Sequence, residues 1–248
     1  MRKSLSLRTI PKYRVDRSWV RFLQRGAQPH EVVTNERIIR SLVGEGFTIA
    51  KRELYPSVAE VAEAKGWTDW VLNDADSSKA DCVCYAILHT GARRELRRWP
   101  LERFVALSKW LLSEKKIIPI WVGTSDEESQ LDEAFVMGAA GKKWVAPEGS
   151  SLLSFYAFIA SSKLYVGNES GPLQLADIAE VPLVAIYGPG VPDVFYPQSA
   201  RSRVLHEVLD CNPCDQIHCV RPSNRCIDRI SLASVQLAVN EVLAQIAL

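Results

Sequence analysis

Val166-Gly167-Asn168-Glu169-Ser170-Gly171-Pro172-Leu173-Gln174-Leu175-Ala176 is the stretch on which the fold of this chain turns. It follows the apolar run Leu164 to Val166 and opens a segment with helical spacing at Leu173, Leu175, Ala176, Ile178 and Ala179. A second apolar run, Leu183 to Tyr187, follows Pro182 and closes on Gly188-Pro189-Gly190. A strand, a tight turn, a helix and a parallel strand fit that order better than a hairpin does. The turn then sets the backbone N–H groups of Ser170 and Gly171 at a helix start, where unpaired donors and the positive end of the dipole suit an anion. Local sequence alone leaves a second reading open, in which Ser170 is an N-cap and no ligand is involved.

Outward from this motif the rhythm is regular. Cys82 to Leu88 reads as a strand, Pro100 to Leu112 as a helix, Ile117 to Val122 as a strand and Asp126 to Met137 as a helix. Lys143 to Ala146 gives a short strand, Leu152 to Ala160 a helix, and Val204 to His206 a last strand. A final amphipathic helix starts at Ser231, with Val235, Val239, Val242 and Ile246 on one face. Strand–helix alternation of this kind predicts an α/β fold with a doubly wound parallel sheet. Its ligand site lies at the carboxyl ends of the strands, where the loops 89–98, 123–127, 167–171 and 188–193 gather. Residues 1–80 are less regular. A helix is expected from Glu31 to Val43, a strand from Phe47 to Ala50, a helix from Val58 to Ala64 ending before Gly66, and a polar linker from Asn73 to Lys79. The division expected is a partial N-terminal α/β portion over 1–80 and a ligand-binding domain over 81–248.

Composition narrows the function. The 248 residues are 47% hydrophobic and 24% charged with a net charge of +1, ordinary for a globular protein and unlike a dedicated nucleic-acid binder. No apolar run is long enough to span a bilayer and none forms a secretory leader, so the expected location is cytoplasmic. Charge is uneven at the start, where Arg2, Lys3, Arg8, Lys12, Arg14, Arg17, Arg21 and Arg25 face Asp16 alone. Such an arm suits anionic lipid headgroups, an acidic substrate, or a solvated helix face beside Trp19 and Phe22. No G-x-G-x-x-G follows a strand and no P-loop is present, which speaks against a nicotinamide dehydrogenase or a P-loop kinase.

Three loops carry chemistry. His89-Thr90-Gly91-Ala92-Arg93-Arg94-Glu95-Leu96-Arg97-Arg98 brings four arginines to a strand end, fixed positive charge for a diphosphate or an exposed loop paired with Glu95 and solvent. Gly123-Thr124-Ser125-Asp126-Glu127-Glu128 offers carboxylates to ribose hydroxyls or to the first turn of a helix. Further on, Cys211, Cys214, Cys219 and Cys226 form a C-x2-C-x4-C-x6-C cluster near His206 and His218. Four thiolates in one short loop suit a structural zinc or iron ion; buried free thiols are the alternative. Cys82 and Cys84 are expected in the core.

In order and spacing over roughly residues 81–235, these loops resemble the C-terminal half of the heptosyltransferase family, glycosyltransferase family 9, built on the two-Rossmann GT-B architecture. The residues that carry the resemblance are Gly91, Arg97-Arg98-Trp99-Pro100, Gly123 to Glu127, Glu169-Ser170-Gly171-Pro172-Leu173-Gln174, Pro182 to Pro189, and Cys211-Asn212-Pro213-Cys214. The segment His30 to Gly46 is similar to the helix before the interdomain region. The resemblance implies transfer of heptose or a similar sugar from ADP-heptose or a related nucleotide sugar to the inner core of lipopolysaccharide, with inversion and with no metal needed, in the cytoplasm and against the inner membrane. It implies donor contacts from Arg97, Glu127, Glu169, Ser170, Gly171 and Gln174. Two positions depart from the family pattern: Glu169 stands where it has Asp, and Gln174 where it has His, which removes a proton-carrying group. The family's base sits in a Gly-Asp turn near the start of its N-terminal domain, and this chain contains no Gly-Asp dipeptide. No catalytic residue is therefore assigned. The rival expectation is a catalytically inactive donor-binding or assembly module that keeps the fold.

Overall fold

The protein is seen in a computed structural model that describes residues 30–43, 52–73, 84–190, 192–212, 214 and 216–245. The expected strand at 47–50, the basic arm, Cys82, Ile246 and most of the expected linker lie outside the described residues.

Among the described residues two helices come first, α1 (Glu31–Val43) and α2 (Val58–Asn73). Then follow β1 (Cys84–His89), α3 (Leu101–Ser113), β2 (Ile117–Gly123), α4 (Glu128–Val136), β3 (Lys142–Val145), α5 (Leu152–Ala160), β4 (Leu164–Asn168), α6 (Gly171–Ile178) and β5 (Leu183–Tyr187). The short α7 (Pro192–Phe195), β6 (Ser202–His206) and α8 (Leu232–Ala244) complete the order. All six strands are parallel, in the order β3-β2-β1-β4-β5-β6. The chain winds outward from β1 to β3, crosses back, and winds the other way from β4 to β6. The doubly wound sheet expected from the sequence is present.

Strands buried on both faces must be apolar throughout, and β4 and β5 are buried at every position. On one face α3, α4 and α8 cover a core containing Phe104, Leu111, Trp121, Leu131, Val235 and Val239. On the other, α5 and α6 cover Tyr85, Ile120, Phe158, Tyr165 and Leu173. Helix α2 packs on α5 in this second layer, contributing Ala64, Val71 and the Trp67 ring, which meets Trp144 and Phe158 edge-on. It thus shares the core of the sheet although it precedes residue 81.

That packing corrects the expected end of α2 at Ala64. Gly66 has nothing within 4 Å of where a Cβ would stand, so at an exposed helix position it costs only about 1 kcal/mol. Burial of Val71 to 0% exposure and of most of Trp67 outweighs that, at about 25 cal/mol per Å² of apolar surface. Helix α1 is anchored at its start. His30 is buried, donates from Nε2 to the Tyr196 carbonyl at 2.9 Å, and stacks edge-on against the Tyr196 ring. Arg52 reaches Asp177, whose other oxygen accepts the Ser199 N–H at 2.7 Å.

Candidate functional site

The two halves of the sheet diverge between β1 and β4, and the loops at their carboxyl ends leave a cleft there. It holds about 630 Å³ and is lined by His89, Arg93, Arg97 and Arg98 after β1, and by Thr124, Asp126 and Glu127 after β2. Glu169, Ser170, Gly171, Pro172 and Gln174 after β4, with Phe195 of α7, complete it. All six residues that the resemblance puts around the donor, Arg97, Glu127, Glu169, Ser170, Gly171 and Gln174, meet in this one cleft.

The loop that carries the arginines is clamped from beneath. Asn168, fully buried at the end of β4, donates from Nδ2 to the Thr90 carbonyl at 2.7 Å and accepts the Trp99 N–H at 3.0 Å. Both ends of the 90–99 loop are thereby tied to β4. A 3-10 turn, Glu95–Arg97, then presents Arg97. Its guanidinium pairs with Glu169 Oε1 at 3.0 Å and also donates from Nε to Gln216 of the cysteine-rich loop. Arg98, by contrast, bonds back to the Ala92 carbonyl at 3.1 Å and holds its own loop.

Glu169 is buried, and burial pushes its carboxyl above the usual range while Arg97 opposes the shift. Its Oε2 has no hydrogen-bond partner among the described residues. That oxygen lies 2.2 Å from where a Cβ on Gly190 would stand, so the Gly188-Pro189-Gly190 turn has to end in glycine for the carboxylate to fit. A buried unpartnered carboxylate oxygen in a cleft is an acceptor available to a ligand hydroxyl.

Ser170 sits at the N-cap of α6 in an extended conformation, yet its hydroxyl makes no capping bond. Of the two sequence readings of this turn, the simple N-cap is the one not observed. The hydroxyl instead meets His89 Nδ1 at 3.1 Å. Pro172 contributes no N–H, nothing stands within 4 Å of a Cβ built on Gly171, and Ser170, Gly171 and Pro172 all line the cleft, so the start of α6 borders it without a side-chain cap.

Glu127 accepts the Thr124 N–H at 3.1 Å, a capping contact at the start of the turn. Its second partner is His89, whose Nε2 lies 3.7 Å from Oε2. The neighbouring His89 ring and the Thr124 N–H hold the carboxyl down at about 2 against the opposing effect of burial. Oε1 lies over Gly91, 1.7 Å from where a Cβ would stand, which accounts for glycine there. Gln174 does not point freely into the cleft. Its Nε2 donates to the Phe195 carbonyl at 3.0 Å, and Tyr187 Oη donates to the same oxygen at 2.7 Å. Gln174 thus fixes α7 as one rim of the cleft.

Three features were missed by sequence reasoning. His89 and Asn168 look like strand ends, and α7 is a single turn. Only the placement of His89 and Asn168 at the carboxyl ends of the two central strands was a usable signal.

The cysteine cluster is gathered but not into an ion site. Cys211, Cys214, Cys219 and Cys226 line one small cavity of about 110 Å³ together with His218. Among the described residues, no group of three or more His, Cys, Asp or Glu side chains is placed to hold a metal ion. The zinc or iron expected from the spacing is therefore unsupported. Cys226 opens the 3-10 turn Cys226–Arg229, which is pinned by the fully buried Ile227 and the Arg225–Asp228 pair at 2.8 Å. Burial pushes its thiol above the usual range. Spacing alone gives the number of thiols in a loop and not where they point.

A doubly wound α/β domain with an anion-suited cleft at its switch point is the class that fold and site define. The chain belongs to glycosyltransferase family 9 (heptosyltransferase), whose model matches residues 30–224. Lipopolysaccharide heptosyltransferase 2 of Salmonella typhimurium is 30% identical over 112 residues, which are 44% of this chain and 32% of that protein. The structure of Escherichia coli ADP-heptose lipopolysaccharide heptosyltransferase II superposes with a TM-score of 0.59 at 22% identity, over 79% of this chain and 54% of the other. A glycosyltransferase family 9 structure from Veillonella parvula gives a TM-score of 0.72 at 19% identity, over 88% and 61%. At these identities the solved structures establish the shared fold. The chain covers about a third of the curated relative and just over half of the solved ones. Among the described residues no helix is long and apolar enough to cross a membrane.

Proposed function

We propose that this chain binds the diphosphate of a nucleotide sugar, in the manner of ADP-heptose, as the donor side of an inverting transfer to a lipopolysaccharide core. The observation that carries the reading is the uncapped start of α6 facing Arg97 across a cleft at the sheet's switch point. Oriented amides and a fixed guanidinium act on charge that develops on the departing diphosphate, and they need no reorganisation when it does. Arg97 takes the diphosphate side, the first amides of α6 and the Ser170 hydroxyl hold phosphate oxygens, and Glu127 takes the ribose. Glu169 Oε2 accepts from a sugar hydroxyl. The relatives' names, ADP-heptose and lipopolysaccharide heptosyltransferase, supply the donor and acceptor of this reading.

Residues 81–248 with α2 form the donor-binding unit, and the acceptor hydroxyl is activated by a base that the family motifs do not identify in this chain. The reading sets the protein in the cytoplasm against the membrane surface that carries the acceptor. Titration calorimetry with ADP tests it: wild-type protein binds, and Arg97→Ala combined with Ser170→Ala weakens binding about a hundredfold by removing two charge-assisted hydrogen bonds. Absence of heat with wild type, or equal affinity in the double variant, refutes it.

A further inference from the structure

We infer that His89 is a positioning residue that couples diphosphate binding to uptake of a proton, by deciding whether the Ser170 hydroxyl donates toward the cleft or back into the protein. This rests on the donor reading above and adds one residue to it.

The imidazole is buried at the end of β1, with Nδ1 3.1 Å from Ser170 Oγ and Nε2 3.7 Å from Glu127 Oε2. The carboxylate biases the tautomer. Glu127, whose carboxyl is held low, only accepts when ionised, and its charge 3.7 Å away favours the proton on Nε2. A neutral His89 then has a bare Nδ1, which takes the one hydrogen of the Ser170 hydroxyl. Ser170 is left with lone pairs facing the cleft, and these repel a phosphate oxygen. A protonated His89 donates from Nδ1 to Ser170 Oγ instead, and the hydroxyl hydrogen is released to point at the phosphate. The proton added on the ring thus appears as a donor at the ligand, beside the open amides of α6.

The other charged groups sharing the cleft are Arg93, Arg97 and Arg98 on the same loop as His89, Asp126 beside Glu127, and Glu169. Arg97 and Glu169 are already paired, at 3.0 Å. Tyr165, beneath Ser170, stays neutral because burial pushes its hydroxyl above the usual range. None of these groups touches Nδ1, where the switch occurs; that atom meets Ser170.

The test is ADP affinity of the full chain at about pH 6 and about pH 8, on either side of the range in which imidazole changes charge. Wild type is expected to bind about tenfold tighter at the lower pH, the worth of one charge-assisted hydrogen bond. His89→Asn sets an amide N–H at the place of Nδ1, so it donates to Ser170 at every pH and binds tightly with no such gain. ADP's own phosphate ionisation is common to both proteins, so only the difference between them is read. Ser170→Ala removes the same gain from the other side and decides the matter should His89→Asn fail to fold. Retention of the wild-type pH ratio in either variant, or tighter wild-type binding at higher pH, overturns the inference. ADP binding without any pH ratio overturns it and leaves the donor reading standing; no ADP binding by wild type overturns both.

Discussion

Replacing Arg97 by alanine should destabilise the protein in a way that depends on pH. The Arg97–Glu169 pair lies at 3.0 Å, and Glu169 is 7% exposed. At an effective dielectric constant of about 20 the gross attraction at that distance is about 5 kcal/mol, and breaking one side of a buried pair costs about 3–5 kcal/mol. Arg97 is 26% exposed, so the low end applies, about 3 kcal/mol near neutral pH. Burial already raises the Glu169 carboxyl and Arg97 alone counters it. Without the guanidinium the folded-state value rises further above the unfolded one, about 4.3. A raised carboxyl is no burden below the unfolded value, where both states hold the proton. Its cost grows as pH climbs from there toward the folded value. Urea unfolding should therefore find Arg97→Ala close to wild type at about pH 4.5 and about 3 kcal/mol weaker near neutrality. In a scan that loss corresponds to roughly 6–12 °C in Tm for a chain of this size. Adding Glu169→Gln should remove most of the pH dependence. A deficit of equal size at both pH values, or one untouched by Glu169→Gln, would refute the reasoning.

Two further outcomes follow from the cleft's supports. Asn168→Ala strips partners from the buried Thr90 carbonyl and Trp99 N–H, and should cost about 2–4 kcal/mol in chemical unfolding and weaken ADP binding through the released loop; an unchanged unfolding midpoint would count against the clamp. Gly91→Ala puts a Cβ 1.7 Å from Glu127 Oε1 and should expel that carboxylate, lowering ADP affinity about tenfold while costing only about 1–3 kcal/mol of stability; wild-type affinity would show that Glu127 does not serve the ligand from its present position.

The sheet was legible because its four central strands are apolar runs buried almost throughout and bounded by turn residues. The segments 152–160 and 183–187 coincide with α5 and β5 to the residue. The end of α2 was not legible, since a glycine weighs the same in sequence whether or not Trp67 and Val71 continue into a core. The short α7 and the turn Cys226–Arg229 lack the length for any periodicity to register. At the site, the loops and the six family positions could be placed in advance, because β-strand ends determine where loops gather. What each side chain does there could not. Ser170 makes no cap, Gln174 grips α7, and His89 joins two loops, all through contacts between segments more than 20 residues apart. The cysteines illustrate the same limit, for a spacing that suits an ion was met by a loop whose fourth thiol is drawn into the core.

The strand order has a bearing on how the cleft comes into being. Strand β1 neighbours β4, with Ala86 opposite Leu164, so the two walls of the cleft come from parts of the chain that emerge from synthesis far apart. The β1–β2–β3 half can zip up early on nearby contacts, yet it offers only one wall. The anion pocket is assembled when the long loop between the halves closes and β4 docks, a slow, non-local event. A ligand gripping both walls would reward only that late step, acting as a latch on the finished sheet and doing nothing for its halves.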